Sequence, residues 1–303
     1  MTRLLSSRAV IGEYYRVIEE TMAASWVTSV VNTFRSDQRT ETYPFLQDIP
    51  ALSEWIGPRR MMTPTEDSVA ITNKKYETGI TFSNDELARD KTDQTLIRIA
   101  DLGARVGQFP EKLISDLLVA NGNAYDGIAY FGNHNRAKSP QINNAVQIAA
   151  ATGTTPTVAE MVNAIQTAMQ RIQGAVDSEG EPCNASGRRF LLMVPNELWP
   201  VAVAAINDQF VGGSVSNSLQ SMLQRGYVIE AVPNVRVAAP FCYLFRTDAR
   251  IRAGILQEER RSSSVLGVGS DYEAINDAQF FGITWQGGAA LGRYELACRI
   301  EFT

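Results

Sequence analysis

Apolar residues between Val10 and Phe34 recur at Ile11, Tyr14, Tyr15, Ile18, Met22, Trp26, Val30 and Phe34. That spacing predicts one apolar stripe on an N-terminal helix or pair of helices. The period then changes. After Trp55-Ile56-Gly57-Pro58-Arg59-Arg60 comes a turn centred on Pro64, and Val69/Ile71 and then Tyr76/Thr78/Ile80/Phe82 alternate as in strands. The reading is a long β-hairpin with polar, charged edges. Ser83 and Glu86 have the spacing of a capping box, which starts a helix by satisfying two of its free N–H groups. From Asp93 to Asn121 apolar residues fall at Leu96, Ile99, Leu102, Val106, Phe109, Leu113 and Leu117, with Gly122 as the stop. This predicts a rod of roughly 40 Å, kinked at Pro110.

A Gly/Asn-rich turn leads to the run from Tyr125 to His134, and a polar stretch up to Pro156 is the best candidate boundary. Thr157 and Glu160 form a second capping box, opening a helix through Val158, Val162, Ile165, Met169 and Ile172 that ends at Gly174. Phe190 to Pro195 reads as a buried strand, with Asn196 capping a helix through Leu198, Trp199, Val203 and Ile206. Phe210 to Ser218, with Gly212-Gly213 and three serines, reads as a flexible loop, followed by strands around 227–237 and 241–245. Ala290, Gly292, Tyr294, Leu296, Cys298, Ile300 and Phe302 alternate with Arg293, Glu295, Arg299 and Glu301, predicting one half-buried C-terminal strand. The class is α+β, with a smaller α/β region over about Thr157–Gln257 inserted between parts of a larger one.

Composition narrows the function. The 303 residues are 45% hydrophobic and 20% charged, enough for one large or two moderate cores and without low-complexity segments. The formal net charge is −5, and the basic pairs Arg59-Arg60, Lys74-Lys75, Arg188-Arg189 and Arg260-Arg261 are far apart in sequence. With no basic arm or face legible, tight DNA binding is disfavoured. Cys183, Cys242 and Cys298 show no CxxC spacing, which fits a reduced setting and argues against zinc. No apolar run reaches the roughly 20 residues of a membrane span and no signal peptide is visible, so no membrane association is expected.

Candidate chemistry is thin. His134 is the single histidine, with Asp126 eight residues earlier as an orienting carboxylate. A lone histidine makes a poor metal site, and the better reading is a hydrogen-bonding residue in a turn. Gly267-Val268-Gly269 lacks the third glycine and the helix of a dinucleotide fingerprint and reads as loop. Lys74 and Lys75 read as solvated charge on the hairpin. The Leu96–Leu117 stripe fits packing on the chain's own sheet at least as well as a coiled-coil seam. No catalytic residue, metal or cofactor is expected.

The order Trp55-x-Gly57-x-Arg59, a strand near Tyr76–Phe82, Asp85 and Asp90 before a long helix, Tyr125-Asp126-Gly127 with Phe131 and His134, and Leu192-Met193-Val194-Pro195-Asn196-x-x-Trp199 together resemble a known family. It is the major capsid subunit of Mu-like tailed phages and prophages, within the HK97-type class. The resemblance covers most of the chain and rests on order and spacing, since no single motif is specific. It implies an N-terminal arm (1–54), an extended E-loop hairpin (55–82), a peripheral domain with a spine helix (83–156), an axial domain (157–257), and a return to the peripheral domain (258–303). On it, Trp55, Arg59, Arg60, Lys74 and Lys75 would face neighbouring subunits, Tyr125, Asp126, Gly127, Phe131 and His134 would be structural, and Phe210, Gly212 and Gly213 would lie at a capsomer axis. The expected partners are copies of the chain in hexamers and pentamers, a scaffolding protein, a portal, a decoration or minor capsid protein, and enclosed double-stranded DNA touched weakly. The expected location is the virion head, after synthesis in a bacterial cytoplasm. Rival readings are an encapsulin-like shell, a tail or baseplate component, and a soluble hydrolase using His134 and Asp126.

Overall fold

The computed structural model describes residues 7–46, 66–89, 94–135, 141–177, 180–213, 215–267 and 269–303. The chain runs through α1 (Ser7–Ala23), α2 (Val27–Val30), β1 (Val31–Arg35), β2 (Thr40–Leu46), β3 (Glu66–Thr72), β4 (Lys74–Ser83), α3 (Asn84–Arg89), α4 (Gln94–Gly107) and α5 (Phe109–Ala120). Short strands β5 (Asn133–His134), β6 (Ile142–Asn143) and β7 (Ala145–Ile148) precede α6 (Val158–Gln173), β8 (Arg189–Val194) and α7 (Trp199–Asn207). Then come β9 (Phe210–Val211), β10 (Val215–Ser216), α8 (Ser218–Leu223), β11 (Val228–Pro233), β12 (Phe241–Arg246), β13 (Gly254–Leu266), α9 (Asp271–Asn276), β14 (Ala278–Leu291) and β15 (Ala297–Phe302).

Two sheets organise these elements. A four-stranded sheet has the order β1-β13-β14-β4, and a five-stranded sheet the order β11-β8-β12-β15-β7. β2 and β3 form an antiparallel ribbon of their own. On the first sheet, Phe82, Phe281 and Ile283 pack with Ile99 and Val106 of α4 and with Tyr14 and Ile18 of α1. The two helices come close because α4 offers glycines there: a Cβ on Gly107 would stand 2.7 Å from Thr21 Cβ. On the second sheet, successive residues of β8 enter different cores, as the two-residue period of a strand requires. Leu192 and Val194 meet Met161, Ile165, Met169 and Ile172 of α6. Leu191 and Met193 meet Ile114 and Leu118 of α5, in a cluster that also holds Leu256 and Trp285 of the first sheet. α5 therefore joins the two layers.

Both capping boxes form: Glu86 N–H donates to Ser83 Oγ and Ser83 N–H to Glu86, and Thr157 and Glu160 exchange the same pair of bonds. The 94–120 rod is two helices that break at Gln108, and Pro110 sits in the first turn of α5, where no N–H is needed. Asn121 closes α5 in the left-handed conformation, φ 46°.

Five further expectations differ from the structure. Phe34 lies in a strand, because β1 pairs in parallel with β13 from Val31↔Gly254 to Arg35↔Glu258 and that ladder overrides the helical spacing. The strands at 66–72 and 74–83 do not pair with each other. Asn73 alone separates them, and one residue is too short to close a hairpin; β3 turns back on β2, while β4 pairs along its ten residues with β14. Asn196 is not a helix cap; Pro195 precedes a 3-10 turn and no side-chain cap bond forms. The 210–218 segment holds a small β9–β10 hairpin. The C-terminal alternation is not one strand: β14 ends at Leu291, Tyr294–Leu296 make a 3-10 turn, and β15 begins in the other sheet. As a result, β7 and β15 bring strands from outside 157–257 into the five-stranded sheet. Among the described residues, no helix is long and apolar enough to cross a membrane.

Candidate functional site

The segment after α5 is folded by its own polar side chains. Asn121 Oδ1 accepts the Phe131 N–H at 2.8 Å, Asp126 Oδ1 accepts the Ile128 N–H at 3.1 Å, and Gly127 takes φ 80°, which a side chain would resist. The turn delivers His134 into the interior, 0% exposed. Its Nδ1 lies 2.6 Å from Asp126 Oδ2 and its Nε2 3.1 Å from Tyr130 O, so both ring nitrogens face oxygens that accept. The ring stacks on Tyr294 at 3.6 Å between centroids and 5° between planes. Tyr294 in turn stacks on Tyr125, whose hydroxyl donates to Glu295 Oε1 at 3.0 Å.

Asn144 completes the junction, donating to Tyr130 O at 2.8 Å and Tyr294 O at 3.2 Å and accepting the Gly132 N–H. The Tyr130 hydroxyl sits between Ala253 O and Arg293 O, and burial drives its phenol well above the usual tyrosine range. Four of the expected motif residues, Tyr125, Asp126, Phe131 and His134, thus meet at the crossing between the two sheets, with Gly127 shaping the turn. Tyr294 and Asn144, which sequence reasoning missed as junction residues, hold them there. They carry no local signal, since the bond that joins them spans 150 positions. A histidine with both nitrogens occupied internally and no solvent-facing surface offers no route to a substrate.

The other candidates are dispersed. Lys74 and Lys75 start β4 opposite Gly287 and Gln286, are exposed, and make no ion pair among the described residues. Phe210, 59% exposed, pairs with Ser216 in the β9–β10 hairpin, and Gly212 (φ 62°) and Gly213 (φ 94°) lie in its turn. That hairpin is anchored by Asn217, whose amide donates to Ala205 O and Asp208 O. Trp55, Arg59 and Arg60 lie outside the described residues.

A second polar centre was not legible in the sequence. Arg246, buried, donates to Asp248 Oδ1 at 2.6 Å, Asn184 Oδ1 at 2.9 Å and Ser186 Oγ at 3.1 Å, and Asp248 Oδ2 accepts the Arg188 N–H. Burial pushes the Asp248 carboxyl up, but the bonds from Arg246 and from the Arg188 and Arg189 backbones outweigh it and hold it below the usual range. A depressed folded value contributes stability above the unfolded value and loses it as pH falls through the folded one. Wild type is therefore expected to exceed Asp248→Asn in thermal stability at pH 6, with the gap closing below pH of about 4. A gap that stays constant down to pH of about 2.5 would refute this.

Residues 9–162 match the family described as Mu-like prophage major head subunit gpT. Over 111 residues the chain is 28% identical to the Mu-like prophage FluMu major head subunit of Haemophilus influenzae and 27% identical to the major capsid protein of Escherichia phage Mu. Each alignment covers 36% of this chain and 36% of the relative, so the chain spans about a third of the length of the curated relatives it matches. Among solved structures it resembles the capsid of cyanophage P-SCSP1u, with TM-score 0.57, 12% identity, and coverage of 91% of this chain and 86% of that one. It also resembles the mature capsid of bacteriophage PhiM1, with TM-score 0.58, 9% identity and coverage of 90% and 85%. A virus-like particle from Pyrococcus furiosus gives TM-score 0.54, 11% identity and coverage of 96% and 98%. At these identities the likeness concerns the fold, which is the HK97-like capsid fold. With more than half of its length matched by the family, the chain belongs to the Mu-like major head subunit gpT family.

Proposed function

We propose that this chain is a major capsid subunit that assembles into hexamers and pentamers closing as an icosahedral head around phage double-stranded DNA. The observation that carries the reading is the β2–β3 ribbon. Among the described residues it pairs with no third strand, and Thr40, Thr42, Pro44, Ser68, Ala70 and Thr72 along it are exposed. An isolated two-stranded ribbon is marginal in water, so a long one is supported by neighbours. We assign the extended loop to this ribbon, strands 40–46 and 66–72, in place of 55–82. The peripheral unit is then the four-stranded sheet with α4 and α5, and the axial unit the five-stranded sheet with α6 and α7, its β9–β10 tip toward the capsomer axis.

The chain's work in this reading is mechanical and not catalytic. The buried His134 with its internally occupied nitrogens supports that, and interfaces of roughly 2,000 Å² or more per pair would do the holding. A scaffold, a portal and a decoration protein are the expected companions in the virion. Negative-stain microscopy with sedimentation velocity on the purified chain, with and without scaffold, tests the reading. Closed shells, rings or sheets are the expected products; a monomer or dimer under every condition would sink it.

A further inference from the structure

Arginines that are scattered along the sequence gather at one end of the five-stranded sheet, where β8 and β11 begin and β12 ends. The Arg188 carbonyl accepts the Val228 N–H at 2.9 Å, the Arg189 carbonyl accepts the Thr247 N–H at 2.9 Å, and Arg188 stands over the Tyr227 ring at 5.0 Å. Arg225 lies in the turn just before Tyr227, and Arg250 in the loop after β12, where its carbonyl accepts from Asn32. Arg188, Arg189, Arg225 and Arg250 are all exposed, and none has an ion-pair partner among the described residues. Arg246 and Arg252 stiffen the same corner from beneath. Arg252 donates to the Ser29 and Thr247 carbonyls.

Two carboxylates on adjoining segments are engaged. Asp248 is tied to Arg246 and the Arg188 backbone, and Asp177 accepts the Glu181 N–H inside its own turn. Glu230 is the exposed acid of β11. These six arginines leave 22 basic residues against 33 acidic ones in the rest of a chain whose net charge is −5. The segregation matters because a net-acidic surface repels a polyanion except where positive charge is concentrated.

We propose that this corner, through Arg188, Arg189, Arg225 and Arg250, is a phosphate-contacting surface for double-stranded nucleic acid, and that in the shell it faces the packaged duplex. The proposal rests on the capsid reading for its partner and for its inward direction. The residue type fits: guanidinium forks match phosphate oxygens, and arginine is less strongly hydrated than lysine. No base-reading element accompanies them, so the contact is weak, indifferent to sequence and steep in salt. That suits a wall against which DNA must slide.

The test is fluorescence anisotropy with a random-sequence duplex of ~30 base pairs, long enough for several phosphate contacts, on unassembled wild-type chain across a salt series. A variant carrying R188Q, R189Q, R225Q and R250Q is compared with a charge-matched control carrying R35Q, R39Q, R98Q and R105Q. Wild type and control are expected to bind with a log–log salt slope of about −3 to −4, and the patch variant at least about tenfold more weakly with a slope near zero. The pairs R188Q/R189Q and R225Q/R250Q, each expected to remove about half the slope, serve if the quadruple variant unfolds. Equal binding by patch variant and wild type, or no binding by wild type, overturns the assignment. Tighter patch-dependent binding to poly-glutamate than to the duplex would overturn it in favour of an acidic polypeptide. Intact shells that capture external duplex through these residues would overturn the inward direction. Because shell formation is scored separately by microscopy, shells without patch-dependent binding defeat this inference alone, whereas absent shells defeat the capsid reading.

Discussion

Replacing His134 by alanine is expected to cost about 3 kcal/mol, which for a chain of this size lowers the midpoint of thermal unfolding by roughly 5 °C. Three losses combine. Asp126 loses the partner of a 2.6 Å contact, Tyr130 O loses one of its donors, and Tyr294 loses the flat ring stacked at 3.6 Å. The first two leave polar atoms at a junction that admits little water, and the third opens a cavity in a packed interior. His134→Asn separates the contributions: an amide reaches one acceptor or the other but not both, so it should fall between wild type and alanine. Thermal unfolding with amide exchange at Tyr130–Asn144 is the measurement. An alanine variant within about 1 kcal/mol of wild type would refute the junction's importance.

Alanine at Gly287 is expected to be as damaging, at about 3 kcal/mol, and alanine at Gly288 milder in stability but costlier for assembly. A Cβ on Gly287 would stand 2.3 Å from the Gln257 carbonyl, a backbone atom in the adjoining β13 that cannot retreat without opening the β13–β14 ladder. At Gly288 the Cβ would meet Ile71 Cγ2 at 2.7 Å and Thr72 O at 3.0 Å, both at the base of the ribbon. Ile71 is β-branched and cannot swing aside easily, so the strain is relieved by lifting the ribbon off Ile255. Gly79→Ala is the control, because its Cβ would meet the ring of Phe280, a half-buried side chain able to move. Urea unfolding ranks the three, and microscopy of assembled products tests the ribbon. If Gly288→Ala loses stability but assembles like wild type, the ribbon's angle is not what neighbours read.

Local signals served where the deciding interaction spans a few residues. Both capping boxes, the strand at Phe190–Val194 and the helix stop at Gly174 were legible because each is settled within about a turn of chain. Pairing was not. The alternation from Tyr76 to Phe82 marked a strand without saying that its partner lies some 200 residues on in β14, and the C-terminal alternation hid a crossing between sheets. Gly292, in the middle of that pattern, was the one warning. The motif residues around His134 were found through family resemblance, yet Tyr294 and Asn144, which complete their contacts, were not.

The sequence by itself determined the α+β class, most element positions and the family, because propensity, capping and order of motifs are written along the chain. Tertiary structure decided which strands pair, how two cores share α5, and where charge collects. In particular, the basic pairs looked isolated because sequence distance says nothing about proximity once loops close: Arg188, Arg225 and Arg250 come to one end of the sheet only when β8, β11 and β12 are laid side by side. Long-range pairing is a property of the whole fold's free energy, and no window of residues contains it.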